Sequence, residues 1–356
     1  MKKAILLSLL PFTAMAASTS IKGIGNYQDW DLVCDNTGTC RMAGYQEGDG
    51  SEHPVSILFT RAAGENAPVT AELSFLAYDY NTEKEIPTGE STEILLNGQS
   101  LGKVQNTSEQ SSPLSEAQTV ALLNGLKKSS DIQIISGQFK GKLSDKGATA
   151  AMLRMDEFQQ RLNTPSALIR RGSNSQTVLA PEPEPQITAV AIPNRKEYTL
   201  KKGTKSFEEV MALLRQANGT DEHSDSYCDA LHQDDTWRDD ITIYPLTNGK
   251  VLAESLCWTG AYQSSNYYAV MDENLTKVEQ QLANQYSEAV YVEKNHFLTV
   301  LGVFKSRGIG DCWHGQEAVW NGSIFIRTSN WTTGSCKGFT GGAWQLPTFV
   351  SDIIVK

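Results

Sequence analysis

The chain has 356 residues, with 31 Lys and Arg against 41 Asp and Glu, for a formal charge of −10. That length is enough for two domains, each with its own core. An acidic chain without a basic stripe argues against nucleic acid or anionic lipid as a partner.

Residues 1–16 read as a secretory signal peptide. Lys2 and Lys3 form the positive n-region, residues 4–10 the apolar core, and Ala14-Met15-Ala16 the cleavage site. The apolar run is too short to span a bilayer, and no run of about 18 apolar residues follows, so no membrane span is expected. The residue directly after the cleavage site is Ala17, not cysteine, which argues against a lipid anchor. The expected location is the periplasm. There, six cysteines, an even number, point to disulfides. Several connectivities are open; the sequential one, Cys34 with Cys40, Cys228 with Cys257 and Cys312 with Cys336, is the simplest, because each bridge then closes a local loop.

Residues 17–171 are expected to form an α+β domain with an antiparallel sheet and amphipathic helices. Strands are predicted at 29–34, from Cys40 onward after a turn at 35–38, at 55–61 and at 69–76. Residues 93–104 make a hairpin around Asn97-Gly98. Ser115 and Gln118 form a capping box, and Ala117, Val120, Leu123 and Leu126 follow at helical spacing. A strand at 131–135 precedes a second helix. Its inner face is Ala148, Ala151, Met152, Met155, Phe158 and Leu162, with Glu157 and Arg161 paired on the other side. The methionines there are read as core. Thr164-Pro165 stops the helix, and 166–170 is predicted as a last strand. Residues 172–195, with alternating Pro and Glu from Pro181 to Pro185, read as an extended linker.

Residues 196–356 are expected to be a mainly antiparallel β domain with disulfides. A helix capped by Ser206 and Glu209 buries Phe207, Val210, Met211 and Leu214, and ends at Asn218-Gly219. Strands at 241–246 and 251–257 flank Asn248-Gly249; another strand covers 267–271. Leu275, Val278, Leu282 and Tyr286 predict a short helix over 274–286. Strands follow at 289–292 and 297–304. A hairpin with a two-residue turn at Asn321-Gly322 comes next, bracketed by Cys312 and Cys336, then a closing strand at 349–355.

Candidate chemistry is sparse. Cys312 and His314 lie close enough for a thiol pair, but no orienting third group is evident and export favours a disulfide. Asp221, Glu222, His223, Asp225, Asp229, His232, Asp234 and Asp235 form an acidic loop whose spacing matches neither a calcium loop nor a zinc helix, so no metal is expected. Gly308-Ile309-Gly310 does not sit between a strand and a helix as a dinucleotide fingerprint would, and no G-x-S-x-G or H-E-x-x-H occurs. No catalytic residue and no cofactor are therefore predicted. Six of the seven tryptophans fall in the C-terminal half. Trp313, Trp320, Trp331 and Trp344 are the candidate binding residues, as aromatic faces that stack on sugar rings or grip a peptide, with core packing as the competing role. The function expected is a non-enzymatic periplasmic binding or envelope-associated protein with a protein or glycan partner. The alternative is a cell-wall hydrolase or an inhibitor of one, since paired carboxylates are invisible in a sequence.

Four stretches carry a family likeness. They are DWDLVCDNTGTC at 29–40, the helix DKGATAAMLRMDEFQQR at 145–161 leading into TPSALIRRG, GAY at 260–262, and GIGDC with VWNGSIFI and Cys336-Lys-Gly at 308–338. Together they resemble bacterial exported proteins of the domain-of-unknown-function 1176 family, across essentially the whole mature chain. Trp313 follows Cys312 where that family would have glycine. The N-terminal half is also similar to invasion-associated locus B proteins in its Trp-x-x-x-Cys opening. The resemblance implies export and architecture; it transfers no catalytic residue.

Overall fold

The computed structural model describes residues 23–49, 53–79, 82–107, 111–175, 177–224, 227–233, 240–282 and 285–356. The predicted signal peptide lies outside the described residues.

Antiparallel sheets dominate. β1 (Ile24–Tyr27), β2 (Trp30–Cys34), β3 (Cys40–Tyr45), β4 (Val55–Arg61) and β5 (Val69–Phe75) are a meander. β6 (Tyr78–Asp79) and β7 (Lys84–Glu85) make a short ribbon; β8 (Ser91–Leu96) and β9 (Gln99–Gln105) are the predicted hairpin, with Asn97 and Gly98 both at positive φ. β10 (Ser112–Pro113) returns to the edge of the first sheet beside β5. The capping box at Ser115 starts α1 (Glu116–Gly125). β11 (Ile132–Ser136) and β12 (Phe139–Leu143) complete a second sheet in the order β12-β11-β8-β9, and α2 (Ala148–Phe158) follows. Trp30, Met42, Ile57 and Phe59 from one face of the first sheet share a core with α1, α2 and the second sheet.

Four readings in this half are corrected. α1 buries Leu122 and Leu123 while Val120 is 48% exposed, because 119, 122, 123 and 126 form an equally good helical stripe one step round. Arg161 does not pair with Glu157. It is fully buried and donates to Gly64 O, Gln159 Oε1 and Ser166 Oγ, while Glu157 pairs with Arg154. α2 ends at Phe158, short of Leu162. Residues 166–170 form turns, not a strand: Asp156 Oδ2 accepts the Leu168 and Ile169 N–H groups that a ladder would have used.

The Pro-Glu stretch leads into β13 (Gln186–Ala189), which pairs in parallel with the last strand. β14 (Tyr198–Leu200), β15 (Ile241–Pro245), β16 (Lys250–Thr259), β17 (Ser264–Asp272) and β18 (Val278–Gln281) form a third sheet. α3 (Lys205–Asn218) and α4 (Asp229–His232) lie on one face of it, with Cys228–Cys257 in their shared core. The α3 cap is Thr204, not Ser206. Within the stretch predicted as helical, residues 274–282 are not a helix. Asp272 accepts the Thr276 and Lys277 N–H groups, and this tight turn directs the chain into β18. The other face packs against a fourth sheet of β19 (Glu288–Tyr291), β20 (Leu298–Lys305), β21 (Trp313–Trp320), β22 (Phe325–Thr332) and β23 (Leu346–Phe349). β24 (Asp352–Val355) is the partner of β13. The connection from β21 to β22 spans 321–324, longer than predicted, because the Asn321 carboxamide accepts the Ser323 and Ile324 N–H groups.

Bonds join Cys34 to Cys40, Cys228 to Cys257 and Cys312 to Cys336, the sequential pairing. Such bonds form and persist in oxidising compartments. Among the described residues, no helix is long and apolar enough to cross a membrane.

The outer face of the first sheet is also covered. Val33, Ala43, Tyr45 and Leu58 share a cluster with Phe339, Ala343, Trp344 and Leu346. At its edge Lys337 Nζ reaches Asp29 Oδ1 at 2.7 Å and Gly48 O at 2.7 Å, and Asp31 accepts the Ser335 N–H and hydroxyl. The stretches 29–31 and 335–337, both carriers of the family likeness, therefore meet across this seam.

Candidate functional site

The four tryptophans part company at the β21–β22 hairpin. Side chains of a strand alternate between faces, and directly opposed residues share a face. On β21 this puts Trp313, Gly315 and Glu317 on one side and Ala318 (through His314 and Gln316) and Trp320 on the other. Trp320 is wholly buried between the third and fourth sheets, with Nε1 donating to Thr247 Oγ1 at 2.9 Å. It offers no surface to a ligand.

Trp331 reaches the first side through an irregularity. Ala318 faces Arg327 but Glu317 faces Ser329, so Thr328 is an extra residue that reverses the alternation of β22. Ser329 and Trp331 thereby join Trp313, Gly315 and Glu317. Trp331 lies opposite Gly315, where an added Cβ would sit 2.4 Å from indole Cζ2. The indole therefore occupies the place of the missing side chain, between Trp313 and Glu317. A glycine is required there by this close approach.

Trp313 folds back on its own turn, Nε1 donating to Gly310 O at 2.7 Å. Trp344 is buried at the seam and donates to Ser56 Oγ at 2.6 Å, yet it shares with Trp331 the wall of a hollow of about 430 Å³ floored by Gly341 and Gly342. The structure thus brings Trp313, Trp331 and Trp344 to one region and leaves Trp320 out.

Two polar groups of this shelf have no protein partner among the described residues. One is the indole N–H of half-buried Trp331, unlike those of Trp313, Trp320 and Trp344. The other is the carboxyl of Glu317, which burial pushes above the usual carboxylate range. Lys305, opposite Trp313, is already engaged: its Nζ lies 4.7 Å over the Tyr262 ring and donates to Gly308 O. Val303, next along β20, is 45% exposed, so the shelf is open to solvent. An aromatic plate with an unspent donor and an unspent acceptor is equipped to bind.

Disulfide bonding and internal ion pairs account for several of the remaining candidates. Cys312 is bonded to Cys336, so no thiol is left to pair with His314. The one group with metal-ligand proximity among the described residues is Asp311, Cys312 and Cys336, and its two sulfurs are bonded to each other. In the acidic loop His232 stacks on Tyr227 and contacts Asn218 Oδ1; Asp225, Asp234 and Asp235 lie outside the described residues. A larger cleft of about 700 Å³ by β12 is lined by two ion pairs, Lys142 with Asp131 and Lys146 with Glu47, and by Lys140 and Asp145.

Of the residues on this shelf, the sequence reading names Trp313, Trp331 and Trp344 and omits Gly315 and Glu317. The available signal was the two-residue spacing from Trp313 to Gly315 to Glu317 on one strand.

A family model described as "Protein of unknown function (DUF1176)" matches residues 25–351. Among curated proteins, the uncharacterized protein YpfG of Escherichia coli (strain K12) is 24% identical over 333 residues, covering 88% of this chain and 87% of its own length. No solved structure matches.

Proposed function

The chain belongs to the DUF1176 family, whose description assigns no activity, and on that premise we propose a non-catalytic, envelope-facing binding protein that holds a glycan on the Trp331 shelf. The carrying observation is the indole of Trp331 laid over Gly315, its N–H unspent, with the unpaired carboxyl of Glu317 two residues along on the same face of β21. Sugar rings present apolar C–H faces to an aromatic plate and hydroxyls to polar groups at its rim, which is the chemistry offered here. Export to the periplasm through the segment 1–16 is part of this reading, and the three disulfides support it. So is a division into an α+β domain at 17–171 and a mainly β domain at 196–356, supported by one core within 30–168 and others within 192–325, with a smaller cluster at the seam shared by both.

The test is titration of the mature protein with envelope oligosaccharides, followed by tryptophan fluorescence and calorimetry. Trp331→Ala is expected to weaken binding roughly tenfold or more. Gly315→Ala, which drives a methyl into the indole, is expected to do the same while Trp331 remains. Undiminished binding in both variants overturns the reading. Turnover of peptidoglycan fragments would instead favour the hydrolase alternative.

A further inference from the structure

The charges of the shelf narrow its ligand, on condition that the reading above holds. We propose that the shelf selects a saccharide through a protonated amine, that of an unacetylated amino sugar. The face of the fourth sheet that carries Trp331 has carboxylates in one transverse row: Glu288 lies opposite Leu301, and Leu301 opposite Glu317. Lys305, the cation of that face on β20, is spent on the Tyr262 ring and Gly308 O. The open charge around the indole is therefore negative.

An indole face attracts cations through its quadrupole, and it does so more strongly where water is partly excluded. Glu317 follows Gly315 on the same face of β21 and is already half-desolvated, with no ion pair among the described residues. An ammonium placed there meets π-density on one side and a carboxylate on the other. A hydroxyl in the same place supplies a neutral hydrogen bond, which is the weaker interaction. An anionic sugar meets like charge. The overall charge of −10 draws cationic ligands toward the molecule from a distance.

The decisive comparison uses the full mature chain and two probes of equal length, the tetramer of glucosamine and the tetramer of N-acetylglucosamine. The amine form is expected to bind roughly tenfold tighter, with the preference shrinking as salt is added. Glu317→Gln is expected to abolish the preference while its melting curve shows a folded protein. Equal affinity for the two tetramers, or tighter binding of the acetylated one, overturns the amine assignment and leaves the glycan shelf intact. Failure of both tetramers to bind removes the shelf reading with it. Amine-tetramer binding that survives both Trp331→Ala and Glu317→Gln marks diffuse attraction to an acidic surface, and also overturns the assignment.

Discussion

Lys337 and Asp29 set the residue scale. Both side chains are nearly buried, at 9% and 12% exposure, and Asp29 Oδ2 also accepts the Ser144 hydroxyl at 2.7 Å. Lys337→Met strands a carboxylate in the seam, and loss of one partner of such a pair costs about 3–5 kcal/mol. Urea denaturation should show that loss, and adding Asp29→Asn should return part of it. Glu317 makes the opposite case. Burial raises its pKa, so the folded state holds that proton more tightly than the unfolded chain does. Ionisation then costs stability as pH rises through the raised value, and the cost is absent below the ordinary carboxylate range. Glu317→Gln should therefore melt above the wild type at neutral and alkaline pH, with the gap closing in acid. Melting temperatures across a pH series check this; a gap that ignores pH contradicts it.

At the scale of elements, the Cys312–Cys336 bond ties the start of β21 to the segment that enters the seam. The bridged residues are 24 apart, a loop for which closure is worth roughly 3 kcal/mol. Replacing both cysteines with alanine should cost about that much. Hydrogen exchange should show protection lost first at 333–346 and then on the outer strands of the first sheet. Much at this scale was legible in the sequence. Asn97-Gly98 and Asn248-Gly249 take positive φ as their turns demand, and Ser115 with Gln118 caps α1. What was not legible has physical causes. The apolar spacing of Leu275, Val278 and Leu282 fits a helix, yet the Asp272 carboxylate anchors a turn that sends those residues into a hairpin. The two faces of β21 follow from alternation alone, which separates Trp313 from Trp320. Trp331 does not: its face depends on the extra residue Thr328, and no local propensity marks that position.

At the scale of the whole molecule, the seam decides how independent the two halves are. Trp344 packs against Val33, Ala43, Tyr45 and Leu58 and bonds Ser56, so the first sheet and the last third of the chain share buried apolar surface. The wild type should unfold in one transition by calorimetry. Trp344→Ala should remove about 3–5 kcal/mol and separate the melting of the two halves. Two resolved transitions in the wild type would show that the seam does not couple them.

β13 finds its parallel partner only in β24, with Ile187 opposite Ile353. A ribosome supplies these strands more than a hundred and fifty residues apart (from 189 to 352), and the cover of the first sheet likewise arrives with residues 337–346. A nascent chain therefore carries an unclothed apolar face for most of its synthesis. Late closure of this kind favours a holding chaperone that shields the face until the last strands are made.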